Sequence, residues 1–199
     1  MNQTSGKLRA MVCEDEGLTV LMLRQSLIRA GYEVAGETDN GARAVEMAKS
    51  LQPDFILMDI NLPGMNGIEA MRNIVKERPV PIIMLTAYSD SLVVEKAISA
   101  GACAYIVKPI VGEQLGPAVK TALARFDTME SIQKENVDLK GALETRKLVE
   151  RAKGILIDRM KLGEAEAFRK LQKISRDKCQ TMKQTASEII QADAVFQHD

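Results

Sequence analysis

Phe55-Ile56-Leu57-Met58-Asp59-Ile60-Asn61-Leu62-Pro63-Gly64-Met65-Asn66-Gly67 is the stretch on which the fold turns. Its apolar run, Phe55 to Met58, is continuous rather than alternating, as in a strand covered on both faces, and an acidic residue follows at once. Comparable short runs occur at Leu8 to Cys13, Glu33 to Ala35, Ile82 to Leu85 and Ala104 to Val107. Between them, Leu18 to Ala30, Ala42 to Leu51, Ile68 to Glu77 and Leu92 to Ala100 carry apolar residues at helical spacing. Gly31 and Gly101 stand where the first and fourth helices should stop, and Asn40 and Ser89 are suited to N-caps. Strands alternating with helices in this way predict an α/β domain over residues 1–111, a doubly wound five-stranded parallel sheet. Its functional crevice should lie at the carboxyl ends of the strands.

The bulk properties agree. The 199 residues are 46% hydrophobic and 27% charged, enough to build a buried core and unlike a disordered chain. No apolar run approaches the length needed to cross a bilayer, and none near the start reads as a signal peptide, so a cytoplasmic protein without a membrane partner is expected. Cys13, Cys103 and Cys179 form no CxxC pair, which fits a reducing compartment. The single histidine, His198, excludes Ser-His-Asp and Cys-His catalysis and histidine-based metal sites from the body of the fold. The net charge of zero hides a split. Residues 1–111 hold 11 Lys+Arg against 13 Asp+Glu, whereas residues 139–190 hold 13 against 7. A basic back half suits either a polyanion or a solvated helix surface.

A further helix should begin near Glu113 and run on, because residues 122–146 contain no Pro and only Gly141 as Gly. A heptad frame puts Ala122, Met129, Asn136 and Leu143 at one core position and Arg125, Ile132, Leu139 and Arg146 at the other. Residues 112–138 thus read as a helical connector able to pair with a second copy through Met129, Ile132, Asn136, Leu139 and Leu143, or else as a lone solvated helix. Breaks at Gly163 and around Asp177 to Cys179 divide the remainder into a helix ending near Arg159, a second over Glu164 to Arg176 and a third over Thr181 to Ala192. Their apolar stripes predict a small three-helix unit over residues 139–192, with Phe168 in its core and residues 193–199 frayed.

The strand ends carry the chemistry. Glu14 and Asp15 follow the first strand, Asp59 ends the third, Thr86 the fourth and Lys108 the fifth. Three carboxylates converging in one crevice repel one another and suit a hard, oxygen-seeking cation such as Mg²⁺. A hydroxyl and an ammonium beside them make a site for handling a phosphoryl group, with Asp59 as nucleophile, Lys108 and the metal sharing the negative charge, and Thr86 bonding a phosphoryl oxygen.

Taken together, Glu14-Asp15, the Met58 to Gly67 segment, Thr86-Ala87 and Lys108-Pro109 resemble the receiver-domain family of two-component response regulators, whose fold is flavodoxin-like. The resemblance implies Mg²⁺ bound by Glu14, Asp15, Asp59 and the backbone carbonyl of Asn61. It implies phosphoryl transfer to Asp59 from the histidine of a sensor histidine kinase, and an aromatic switch at Tyr105 coupled to Thr86. Glu14 stands where many members have Asp.

The back half resembles the ANTAR family, an RNA-binding antitermination module. The matching residues are Leu143-Glu144-Thr145-Arg146, Val149 to Leu156 with its Ala152-Lys153-Gly154 step, Glu166-Ala167-Phe168, Thr181-Met182 and Ala186; Ser175 and Gln172 depart from the usual Ala and Arg. Candidate RNA contacts are Arg146, Lys147, Arg151, Lys153, Arg176, Lys178 and Lys183. With Phe168 assigned to the core, no aromatic stacking platform is expected. The two resemblances together imply a regulator rather than an enzyme. It would homodimerise on phosphorylation, bind structured hairpin RNA in leader transcripts and act as a transcription antiterminator. A DNA-binding response regulator, or one acting only through protein dimerisation, is the alternative.

Overall fold

The computed structural model describes residues 6–87, 102–110 and 112–196, with backbone only at 195 and 196. The fourth helix expected over Leu92 to Ala100, its cap Ser89 and its stop Gly101 lie outside these residues. The chain divides into two compact units, Met1–Met129 and Glu130–Asp199.

In the first unit β1 (Arg9–Cys13), β2 (Glu33–Thr38), β3 (Phe55–Asp59), β4 (Ile82–Thr86) and β5 (Ala104–Val107) form one sheet in the order β2-β1-β3-β4-β5. Every neighbouring pair is parallel. β3 and β4 are buried at every residue, as their continuous apolar runs require, whereas β5 at the edge alternates between half-buried and exposed. β2 runs past the expected Ala35 to Thr38, because pairing with β1 holds Gly36, Glu37 and Thr38 in the ladder without an apolar run.

Alternate strand residues feed two cores. Met11, Cys13, Ile56, Met58, Ile82 and Met84 pack with Ala44, Ala48, Ala70, Met71 and Ile74 from α2 (Gly41–Leu51) and α3 (Gly67–Glu77). Ala10, Val12, Phe55, Leu57, Ile83 and Leu85 pack with Leu23 and Leu27 of α1 (Gly17–Arg29) and with Leu115, Val119 and Ala122 of α4 (Gly112–Met160). Asn40 caps α2 as expected, its side chain accepting from the N–H groups of Ala42 and Arg43, and Asn66 caps α3 in the same way through the N–H of Ile68. Gly31 follows α1 at φ 92°, a conformation that spares only glycine a steric cost.

α4 is a single 49-residue helix. Its first turns help close the core of the first unit, and its last turns carry Ala152 and Leu156 into the second unit. The connector therefore passes without a break into the first helix of the tail. It stops at Lys161, which takes φ 55°, and Gly163 begins the next helix. α5 (Glu164–Asp177) and α6 (Met182–Phe196) complete the unit, around a small core of Ala152, Leu156, Ala167, Leu171 and Ala186. α6 extends through Asp193 to Phe196, past the point where fraying was expected, and Arg159 of α4 meets the Asp193 carboxylate at 2.8 Å. Phe168, expected in this core, is 39% exposed instead. None of the described helices is long and apolar enough to cross a membrane.

Candidate functional site

The order β2-β1-β3-β4-β5 puts a reversal of winding direction between β1 and β3, where loops leave toward opposite faces and a crevice opens. Glu14 and Asp15 sit just beyond β1, and Asp59 ends β3. One carboxylate oxygen from each lies within 4.8 Å of the others. Glu14 and Asp59 are buried and Asp15 is exposed at the mouth. Lys108, one residue past β5, reaches back between the two buried carboxylates, its Nζ 2.6 Å from Glu14 Oε2 and 2.9 Å from Asp59 Oδ2. Its backbone N–H donates to the Thr86 carbonyl at 2.7 Å, which ties the ends of β4 and β5, and its bond to Pro109 is cis.

The electrostatics follow from this crowding. Burial raises the pKa of the Glu14 carboxyl, and the Asp59 charge adds to the rise; the Lys108 ammonium opposes both. Burial alone would lower Lys108, but its bonds to Glu14 and Asp59 outweigh that and hold its pKa above the ordinary value. Glu14 Oε2 is buried and faces the Lys108 ammonium at 2.6 Å. Three converging carboxylates, two of them buried, form an all-oxygen donor set that fits a hard divalent cation. Octahedral Mg²⁺ spaces its ligand oxygens roughly 3–4 Å apart, given metal–oxygen bonds of about 2.1 Å, so small side-chain rotations would suffice.

Thr86 is buried at the end of β4, and Tyr105 on β5 points to solvent, 46% exposed. Asn61 lies exposed in the loop two residues beyond Asp59. That loop is pinned at both ends, by the Ile60 N–H on the Leu85 carbonyl at 3.2 Å and the Gly67 N–H on the Ile60 carbonyl at 2.9 Å. Gly67, which ends the Met58 to Gly67 segment, carries no role legible from the sequence, yet the Asp59 backbone passes close against it. A Cβ there would fall 1.9 Å from the backbone oxygen of Asp59. Gly67→Ala is expected to displace the Asp59 backbone and destabilise the unit by about 1–3 kcal/mol, the usual cost of overpacking. Thermal melting and the rate of labelling by acetyl phosphate check this together; a variant that matches the parent in both would show that the contact relaxes freely.

In the second unit the candidate cations divide. Arg146, Lys147, Arg151 and Arg176 are exposed and enter no salt bridge among the described residues. Lys178 meets Glu188 at 2.7 Å and Lys183 meets Glu144 at 3.4 Å, all on the surface. Lys153 departs most from expectation. Only 8% exposed, it places its Nζ 3.0 Å from Glu150 and 2.9 Å from Glu164, the first residue of α5. Its hydrogen bonds to Glu164 and Glu150 raise its pKa, and Glu164 is lowered in turn. Its charge is already neutralised, and it ties α4 to α5 rather than projecting from the surface. Ser175, where the family resemblance calls for Ala, is buried with its hydroxyl donating to the Gln180 carbonyl at 2.7 Å, which anchors the turn after α5.

Comparison with known proteins covers both units. The response regulator receiver domain family matches residues 10–120, and the ANTAR domain family matches residues 137–190. The transcriptional regulatory protein PdtaR of Mycobacterium tuberculosis is 40% identical over 183 residues, spanning 92% of this chain and 89% of that protein. The chemotaxis protein CheY of Thermotoga maritima is 45% identical over 102 residues, 51% of this chain and 85% of that one. Among solved structures, the response regulator domain of Thermotoga maritima CheB superposes with a TM-score of 0.54 at 30% identity, covering 60% of this chain and 96% of that domain. The Borrelia burgdorferi CheX–CheY complex with BeF3 and Mg²⁺ gives 0.57 at 26% identity, covering 61% of this chain and 93% of that one.

Proposed function

The chain belongs to the response regulators that join a receiver domain to an ANTAR domain, and we propose that phosphoryl transfer to Asp59 switches its tail to a state that binds paired RNA hairpins and prevents termination. As a member it is a phosphorylation-controlled RNA-binding regulator. The observation that carries it is the buried Asp59 carboxylate at the end of β3, held by Lys108 at 2.9 Å beside Glu14 and Asp15.

An Asp59 oxygen attacks the phosphorus of the kinase phosphohistidine, the P–N bond breaks, and the imidazole leaves with the bonding pair. Lys108 stays within reach to bond the transferred group, and the Thr86 hydroxyl turns to a second phosphoryl oxygen. That movement draws Tyr105 inward from its exposed position on β5. Glu14, Asp15, Asp59 and the Asn61 carbonyl would hold Mg²⁺, which supplies charge neutralisation for the phosphoryl oxygens.

Output runs through α4. Met129, Ile132, Leu139 and Leu143 all stand more than half exposed, and Asn136 shares their heptad seam. An exposed apolar seam of this kind is suited to a parallel pair with a second copy, with Asn136 setting register. Asn136→Ile is expected to strengthen self-association and loosen its dependence on phosphate, because a core Asn costs stability relative to Ile. Sedimentation of the unphosphorylated variant checks it, and a variant as monomeric as the parent would refute the heptad frame. RNA contact is assigned to Arg146, Lys147, Arg151, Arg176, Lys178 and Lys183. Lys153 joins them only if it exchanges its carboxylate partners.

Gel shifts with hairpin RNA and with duplex DNA of equal length, with and without acetyl phosphate and Mg²⁺, test the whole reading. Preference for the hairpin, enhanced by phosphorylation, is expected. Preference for the duplex would favour a DNA-binding regulator, and no binding to either a regulator that only dimerises.

A further inference from the structure

α5 exposes a side chain that its stripe should have buried. Along an α-helix, residues four apart fall in rows, and consecutive rows lie side by side. In α5 the row Ala167, Leu171, Ser175 is buried. The next row is Phe168, Gln172 and Arg176, and the row beyond it begins with Arg169 and Lys173. Phe168 is 39% exposed and lies outside the core cluster of the unit. Gln172 is half-buried, while Arg169, Lys173 and Arg176 are exposed and enter no salt bridge among the described residues. Lys153, Lys178 and Lys183 are already paired with carboxylates, whereas Lys170 on the far side of α5 and Lys147 on α4 are exposed and enter no salt bridge among the described residues.

This grouping has a definite chemistry. A phenyl ring one row from a packed core offers an exposed apolar face that a flat partner can cover, and with two rotatable bonds it loses little freedom in doing so. An amide one turn along the same row can donate to and accept from the edge of that partner. Of the exposed cations along about 12 Å of this helix, Arg169, Lys173 and Arg176 fall on the side next to the Phe168 row and Lys170 on the far side, so the first three are placed for phosphates of the strand that carries the base. A base in a continuous duplex offers no free face, whereas an unpaired base in a hairpin loop does.

We infer that α5 is a reading surface on which one unpaired loop base stacks on Phe168, with Gln172 at its edge and Arg169, Lys173 and Arg176 on the flanking phosphates. This rests on the RNA-binding reading above and adds an aromatic base contact that the sequence pattern assigned to the core. The surface recognises a loop nucleotide by its face, so its sequence preference is broad where it stacks and narrower where Gln172 meets the edge.

The test uses the full chain, treated with acetyl phosphate and Mg²⁺, and a pool of stem-loop RNAs with one fixed stem and a randomised loop. A hairpin selected by the parent chain is remade with 2-aminopurine at each loop position in turn. Binding is expected to quench one position strongly. Phe168→Ala should abolish that quenching and weaken affinity by roughly 5- to 150-fold, the range for losing one base–aromatic stack. Its salt dependence should stay unchanged, because no phosphate contact is lost. Phe168→Tyr should restore both affinity and quenching. Lys173→Gln should keep the quenching and flatten the salt dependence. Circular dichroism and sedimentation of Phe168→Ala separate these effects from unfolding and from loss of a contact between copies, and the Tyr variant keeps the test decisive if the Ala variant unfolds. Parent-like affinity and quenching in Phe168→Ala, or a dimer that dissociates while quenching per site persists, overturns the inference and leaves RNA binding intact. A parent chain that selects no hairpin from the pool removes both.

Discussion

Asp59→Asn is expected to abolish Mg²⁺-dependent labelling of the chain by acetyl phosphate. In the proposed transfer the carboxylate oxygen is the nucleophile, and an amide of nearly the same shape cannot form the acyl phosphate. The variant should still fold, because Asn fills the same buried space at the end of β3 and Lys108 keeps its second partner, Glu14, at 2.6 Å. Loss of labelling with an unchanged melting profile therefore isolates chemistry from stability. Phosphate-affinity electrophoresis of parent and variant is the direct measurement. Undiminished labelling would move the acceptor elsewhere, and Asp15, exposed at the mouth of the same cluster, would be the first position to examine.

Affinity for hairpin RNA should fall steeply with salt, and the slope should count the cations that engage phosphate. If the unpaired cations Arg146, Lys147, Arg151, Arg169, Lys173 and Arg176 each neutralise one phosphate, the loss between about 50 and about 200 mM salt is on the order of 10³. If Lys178 and Lys183 exchange Glu188 and Glu144 for phosphates as well, it rises to on the order of 10⁴. The two cases differ by about tenfold, within reach of a filter-binding or fluorescence titration at several salt concentrations. The paired lysines lower the expected slope because each must first release a carboxylate. A nearly flat salt response would remove the electrostatic basis of the RNA interface. A steep response of equal size on duplex DNA would reduce it to general polyanion affinity.

The receiver sheet was legible in the sequence because its central strands are buried on both faces, and such burial writes itself as unbroken apolar runs, Phe55 to Met58 and Ile82 to Leu85. Asp59, Thr86 and Lys108 were legible for a related reason. Parallel strands present their carboxyl ends to one rim, so polar residues that terminate such runs must meet there. Asn40 was legible as a cap because its chemistry is local to the next three residues. Contacts between segments distant in sequence left no such mark. The tail of β2 stays in the ladder through backbone pairing with β1, which its side chains do not announce. Gly67 is needed because the backbone of Asp59 passes beside it, a proximity that only the closed turn creates. Phe168 sits one row away from Ala167 and Leu171 on α5, and helical periodicity cannot tell which edge of an apolar stripe the neighbouring helices cover. Lys153 reads as a surface cation by type, yet the crossing of α4 and α5 brings Glu164 to its ammonium and buries it. Residue types and periods determined which elements form and which polar residues end the strands at one rim; the packing of one element on another decided which side chains remain free to meet a ligand.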